Sequence, residues 1–179
     1  MNIHPLFVHF PIALFIIYSV LEIGSYFCKR LRRQSWLAPV KQFLVLVGFL
    51  AMFTALVTGG MAEDALGAGD PRAAVVAVHE PFALLTTLIY FFLAGAYTVR
   101  IFDQEGWALR IIGKNRLLHR IWHMKKAFAR IILDTVLRPL LALAGLVSIT
   151  ITGALGAAIV YGPSVDPIVS FIYHLFFAR

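Results

Sequence analysis

Four long apolar runs constrain this chain more than any other feature of its sequence. They extend over Leu6 to Phe27, Pro39 to Gly60, Pro81 to Val99 and Pro139 to Tyr161. Each is close to the roughly 20 residues that a helix needs to cross a bilayer. With 60% hydrophobic residues and a mean hydropathy of +0.84, the chain is too apolar for a soluble domain. The sequence therefore predicts an all-α membrane protein, a single transmembrane domain over residues 1–179 built as a four-helix bundle.

Basic residues are concentrated in two of the connections between these runs. Thirteen of the sixteen lysines and arginines lie between runs 1 and 2 or between runs 3 and 4, and a fourteenth, Lys41, stands at the very start of run 2 and is counted with the first loop. Because cytoplasmic loops are enriched in lysine and arginine, both basic loops are expected in the cytoplasm and both termini outside. The net charge of +7 then favours anionic lipid headgroups as partners, and not nucleic acid. We expect a multi-pass protein of a bacterial inner membrane.

Two further segments are apolar in part but are not expected to cross the membrane. Residues 108–137 alternate basic and large apolar side chains, as in RLLHRIWHMKK, which is typical of an amphipathic helix on the cytoplasmic membrane surface. Residues 163–179 are too short to span the bilayer after the turn at Gly162, and their aromatic side chains are typical of the membrane interface. This last segment is expected to lie along the outer surface or to cap the bundle.

Four histidines are expected at one depth near the outer membrane face. They are His4, His9, His79 and His174. Ionisable residues at membrane depth are costly and usually functional, and neutral imidazole is a common axial ligand of haem iron. The single cysteine leaves no CxxCH motif for covalent haem, so the candidate cofactor is haem b. A non-haem metal and a purely structural role of the histidines are the alternatives.

A short motif, H-x-P-x-A-L, occurs twice, at His9 and at His79, 70 residues apart. Runs 2 and 4 can also be aligned through their glycines, Gly48 with Gly145 and Gly59 with Gly156. The chain is therefore interpreted as two helical hairpins, a 2+2 duplication about an axis along the membrane normal. In that arrangement His9 and His79 approach a shared group from opposite sides, as two axial ligands of one haem iron do.

His4 and His9 are five residues apart, which is about 7.5 Å along and ~140° around a helix. They cannot be opposite ligands of one iron, so a ligand pair has to come from two helices. Gly153 and Gly156, in the outer half of run 4, leave space either for a flat macrocycle or for close helix packing. The sequence leaves both interpretations open.

Glu22 is the only carboxylate within a spanning run. We expect its side chain to extend towards the basic loop, in preference to acting as a proton relay. Other charged or polar residues are scarce along the runs, which argues against a transporter.

The opening HPLFVHFPIAL, the histidine before run 3 and the glycine-rich run ending in VYG resemble the small bacterial membrane proteins called domain of unknown function 2231. The resemblance implies a membrane companion of respiratory cytochromes or Rieske proteins that binds haem b. It also marks His4, His9 and His79 as the family's histidines, with Pro5 and Pro11 beside them. The long basic insert and the tail that carries His174 are less typical, so a role for His174 depends on topology alone.

Together these features predict a membrane-embedded electron-transfer subunit with one or two b-type haems near its periplasmic face. His9 and His79 are the predicted axial ligands, and His4 and His174 are further cofactor-binding candidates. Electrons would pass between a quinol or a partner subunit and a periplasmic carrier. The alternatives are a cofactor-free structural subunit of a respiratory or photosynthetic complex and a metal-binding or transport protein. No catalytic constellation can be recognised, so the chain is not expected to be an enzyme.

Overall fold

A computed structural model describes the backbone of residues 4–64 and 69–177, with the side chains of residues 8–61 and 69–177. Within these ranges all regular secondary structure is helical. The elements are α1 (His4–Phe27), α2 (Lys29–Arg32), α3 (Leu37–Asp64), α4 (Ala73–Gln104), α5 (Trp107–Ile112), α6 (Arg116–Asp134), α7 (Leu137–Tyr161) and α8 (Pro167–Phe177).

Four of the helices are long and apolar enough to cross a membrane, which confirms the predicted fold class. Their candidate spans are Val8–Phe27, Leu37–Met61, Ala73–Gln104 and Leu137–Tyr161. Helix α4 begins before the proline at which run 3 was expected to start, because the apolar stretch AAVVAV continues the helix upstream. His79, expected just before this helix, therefore lies within it.

The four spanning helices form a ring in which each has two neighbours. Helix α1 packs against α3 and α7, and α4 also packs against α3 and α7, so α1 and α4 occupy opposite corners. Large side chains from all four helices fill the centre, including Phe15, Tyr18, Val45, Tyr90 and Ile149. Many other apolar side chains face outwards, where spanning helices contact lipid.

Helices α1 and α4 run in one direction and α3 and α7 in the other, which gives the bundle two distinct ends. We call the end with the starts of α1 and α4 the histidine end, and the opposite one the basic end. Helix α8 folds back onto α7 at the histidine end, where Val169 and Ile172 are buried against residues such as Val75 and Leu155. The C-terminal segment thus caps the bundle.

The basic insert between α4 and α7 forms two helices, α5 and α6. Gly113 separates them with a φ of 58°. The side chain of Asn115 then accepts hydrogen bonds from the backbone N–H groups of Leu117 and Leu118 at the start of α6. Helix α6 packs against α4 through an apolar face that buries Ile132. Its basic face remains largely exposed, which is the pattern of a membrane-surface helix.

Candidate functional sites at the two ends of the bundle

A buried cluster of three charged side chains joins α1, α3 and α7 near the basic end. The carboxylate of Glu22 is 2.8 Å from Lys41 Nζ and accepts a 2.7 Å hydrogen bond from Arg138 Nε. Lys41 Nζ also donates to Ser25 Oγ at 3.3 Å. Only 1% of Glu22 is exposed. Since its members come from three helices, the cluster fixes how those helices sit against one another.

This cluster differs from the arrangement predicted for Glu22. The sequence assigned Lys41 and Arg138 to loops, but they are the fifth residue of α3 and the second residue of α7. A buried carboxylate is strongly disfavoured unless cations meet it at short range, so both side chains reach it from the first turns of their helices. The available signal was the position of Lys41, which the seven residues QSWLAPV separate from the other basic residues of its loop.

Tyrosine hydroxyl groups extend this polar interior towards the middle of the bundle. The rings of Tyr18 and Tyr97 meet edge to face with centroids 6.2 Å apart, and both lie within electrostatic range of Glu22. Further along, the hydroxyl of Tyr90 is 2.9 Å from Ser19 Oγ. Several polar side chains of the spanning helices are thus turned inwards, and Ser19 and Tyr90 bond to each other there.

A second group of hydroxyls links α4 and α7 on the histidine side of the centre. Thr86 donates to Ser148 Oγ at 2.8 Å, and Ser148 donates to the carbonyl oxygen of Phe82 at 2.9 Å. Thr152 lies 3.4 Å from the hydroxyl of Thr86. Such bonds between helices are favourable in lipid, where an unsatisfied polar group costs free energy. These bonds explain how hydroxyl side chains are accommodated within the spanning helices α4 and α7.

The centre of the bundle is a pair of aromatic rings held between two glycines. Phe15 and Tyr90 stack with centroids 3.7 Å apart and ring planes 5° from parallel. A Cβ atom on Gly48 would lie 2.7 Å from the ring of Phe15, and one on Gly145 would lie 2.9 Å from the ring of Tyr90. Each hairpin therefore supplies one ring and one glycine, which is an approximately two-fold arrangement.

This packing uses a different register from that of the repeated H-x-P-x-A-L motif. The two stacked rings are 75 residues apart, and the glycines beneath them are 97 residues apart. A 75-residue register differs from the 70-residue motif by five residues, or ~140° around a helix. Accordingly His9 is exposed while Pro11 is buried, whereas His79 is half-buried while Pro81 is exposed. The glycine alignment matches the packing, and the motif alignment does not.

At the histidine end, side chains cover two of the glycines of α7. A Cβ atom on Gly156 would lie 3.4 Å from Cε1 of His79, and one on Gly153 would lie 3.7 Å from Cδ1 of Ile12. On α3, by contrast, a Cβ atom on Gly60 would meet nothing within 4 Å. Gly156 therefore provides the surface on which the imidazole of His79 lies, inside the bundle.

The other predicted site residues are placed differently. His9 is exposed on α1, and His174 is exposed on α8, where its Nδ1 lies 2.7 Å from the carbonyl oxygen of Ser170. In that bond Nδ1 donates, so Nε2 of the neutral ring is left as an acceptor that can bind a metal. The side chain of His4 lies outside the described residues. The described side chains contain no group of three or more His, Cys, Asp or Glu residues placed to hold a metal ion.

Four apolar helices around a centre of stacked aromatic rings and internally bonded polar groups define a multi-pass membrane protein. Residues 1–166 match the family described as a predicted membrane protein, DUF2231, and the chain belongs to that family. Comparison with curated proteins and with solved structures gives no match. Since the family description names no activity, the function has to be inferred from the sites themselves.

Proposed function

We propose that the protein is a membrane electron-transfer subunit that carries a b-type haem between α1 and α4 at the histidine end. The observation that supports this is the half-buried imidazole of His79, which lies on Gly156 inside the bundle. Helices at opposite corners of a four-helix bundle can offer ligands to one iron from opposite sides. When bound, a haem of this kind supplies a one-electron redox centre.

The register of the packing favours His4 as the partner of His79. His79 stands eleven residues before the stacked ring of α4, and Gly156 stands eleven residues after the glycine beneath that ring. In the other hairpin, His4 stands eleven residues before the stacked ring of Phe15. Gly59 likewise stands eleven residues after Gly48. We therefore propose His4 and His79 as the axial pair. His9, whose side chain is exposed, is the competing ligand.

The chemistry of these residues fits such a group. Two neutral imidazoles from different helices are a ligand set that haem iron accepts, and small residues beside them leave room for a flat ring. Because imidazole binds iron only when it is deprotonated at one nitrogen, an apolar surrounding that disfavours the charged ring also favours ligation.

The proposal is tested by a reduced-minus-oxidised absorption spectrum and a pyridine haemochrome assay on chain purified from haem-replete cells. His4→Ala and His79→Ala should each abolish the same b-type signal, and His9→Ala should keep it. Loss of that signal in His9→Ala, with His4→Ala unaffected, would instead support the pairing predicted by the 70-residue motif.

A pair of glycine variants provides a matched control that leaves every histidine in place. Gly156→Ala puts a methyl group 3.4 Å from the ring of His79 and should weaken haem retention. Gly60→Ala adds the same methyl group in open space and should retain haem like the unaltered chain. Equal retention by both variants would contradict a role for the surface beneath His79.

A cofactor-free structural subunit of a bioenergetic complex is the second candidate function. The buried Glu22 cluster favours it, because these ion pairs hold three spanning helices together without any ligand. A flat spectrum from chain produced with ample haem would support this candidate over the first.

We further propose that the histidine end faces the periplasm of a bacterial inner membrane, since the basic residues lie at the other end. The electron donor would then be a quinol or a membrane subunit, and the acceptor a periplasmic carrier. In a chain whose exposed Cys28 is first replaced by serine, labelling of single cysteines introduced at Asp70 and Lys114 should find the first outside and the second inside.

A further inference from the structure

An open cleft of about 440 Å³ lies at the basic end, where α2, α6 and α7 come together near the end of α1. Two arginines line it, Arg32 from α2 and Arg138 from α7. Leu133, Val136 and Pro139 add apolar wall, and Tyr26 contributes an aromatic ring with a hydroxyl group. The cleft thus combines two cations with an apolar surface at the depth where the spanning helices end.

The charge behind this cleft is not balanced by protein carboxylates alone. Glu22 carries one negative charge but meets two cations, Lys41 and Arg138. Arg138 uses its Nε for Glu22, and 27% of its side chain is exposed. The acidic residue in the cleft wall, Asp134, is already ion-paired with Arg100. The guanidinium groups that line the cleft therefore favour an additional anion.

We propose that this cleft binds the phosphate group of an anionic phospholipid between Arg32 and Arg138. Guanidinium groups match phosphate oxygens in geometry and hold them with charge-assisted hydrogen bonds. The apolar wall beside the arginines suits the glycerol and the first methylene groups of the lipid. Basic pockets between spanning helices are known sites for anionic headgroups, and this one lies where such headgroups are found.

The test is a titration of the purified chain, in neutral detergent, with phosphatidylglycerol or phosphatidylcholine, with bound lipid counted by native mass spectrometry. Phosphatidylglycerol should bind the unaltered chain more tightly than phosphatidylcholine does. Arg32→Gln should weaken phosphatidylglycerol binding about tenfold, the loss expected when a charge-assisted hydrogen bond is removed. Because Arg32 is exposed and outside the Glu22 cluster, this variant should fold normally, which circular dichroism checks.

Arg33→Gln is the matched control, since it removes the same charge from the next residue, which does not line the cleft. It should change the affinity less than about twofold. Asp134→Asn removes the carboxylate in the cleft wall and should tighten binding. Equal losses in Arg32→Gln and Arg33→Gln would overturn the proposal in favour of a diffuse basic surface. Inorganic phosphate that displaces the lipid at equal concentration would show that a soluble anion, and not a lipid, is the ligand.

Discussion

The two ends of the bundle are held together by different interactions. At the basic end, Glu22 binds cations from two other helices at 2.7 and 2.8 Å. At the histidine end, α7 instead receives His79 on Gly156 and Ile12 on Gly153, so close that a Cβ atom added to either glycine would lie 3.4 to 3.7 Å from the covering side chain. An ion pair in a low-dielectric interior tolerates little change in its partners, whereas a side chain on a glycine can be displaced at modest cost. The basic end is therefore fixed by ionic contacts, and the histidine end is held by side chains that pack on small residues.

Glu22→Gln should have the largest effect on the stability of the protein. It leaves the buried ammonium of Lys41 and the half-buried guanidinium of Arg138 without their carboxylate, and loss of one partner from a buried ionic group costs ~3–5 kcal/mol of unfolding free energy. Unfolding in mixed detergent micelles, followed by circular dichroism, measures the effect. Glu80→Gln, an exposed change at the histidine end, should stay within about 0.5 kcal/mol. Similar stabilities of the two variants would mean that the cluster does not fix the basic end.

Gly145→Ala tests how tightly the middle of the bundle, between the two ends, is packed. Its Cβ would lie 2.9 Å from Tyr90, whose ring is pinned by the stack with Phe15, so overpacking should cost ~1–3 kcal/mol. Gly95→Ala on α4 has no atom within 4 Å of its Cβ and should instead stabilise the helix by up to ~1 kcal/mol. The same unfolding assay should therefore give changes of opposite sign. A loss of stability in both would show that helix geometry, and not contact with Tyr90, governs these positions.

Arg72→Gln should have the smallest effect, although it breaks a short ion pair. Hydrogen bonds from Arg72 lower the pKa of Asp70 to about 2, and the two groups are 2.6 Å apart. A lowered carboxyl pKa contributes stability above the unfolded value of about 3.9, and that contribution is lost as the pH falls towards 2. Because solvent screens this exposed pair, we expect the melting temperatures of variant and unaltered chain to coincide at pH 7. A clear difference there would show that an exposed pair can act like the buried cluster.

Much of the fold could be predicted from the sequence, because four apolar runs of spanning length leave few alternatives. The length of a run does not reveal which way a side chain points. Lys41 and Arg138 stand close to helix ends, so hydropathy assigned them to loops, although the carboxylate of Glu22 draws both into the interior. The helix positions were predictable, and the ionic cluster was not, since it depends on the rotation of three helices at once.

The geometry of the candidate site could likewise be predicted only in part from the sequence. The alignment of Gly48 with Gly145 matches the register in which the hairpins pack, since these two glycines lie directly beneath the rings of Phe15 and Tyr90. The H-x-P-x-A-L motif suggested a register five residues away, which turns its two copies to different sides of their helices. As a result the side chain of His79 is half-buried, whereas that of His9, predicted as its partner ligand, is exposed. The pairing of these histidines with a cofactor stays a prediction.

The stacked rings of Phe15 and Tyr90 bear on permeability. They lie near the middle of their spans, 3.7 Å apart, with a glycine backbone close behind each of them. A water molecule needs a roomy site with several polar partners, and two rings in contact offer neither between them. The stacked rings thus close the interior of the bundle near the middle of its spans. We therefore expect the bundle to conduct neither water nor ions from one end to the other.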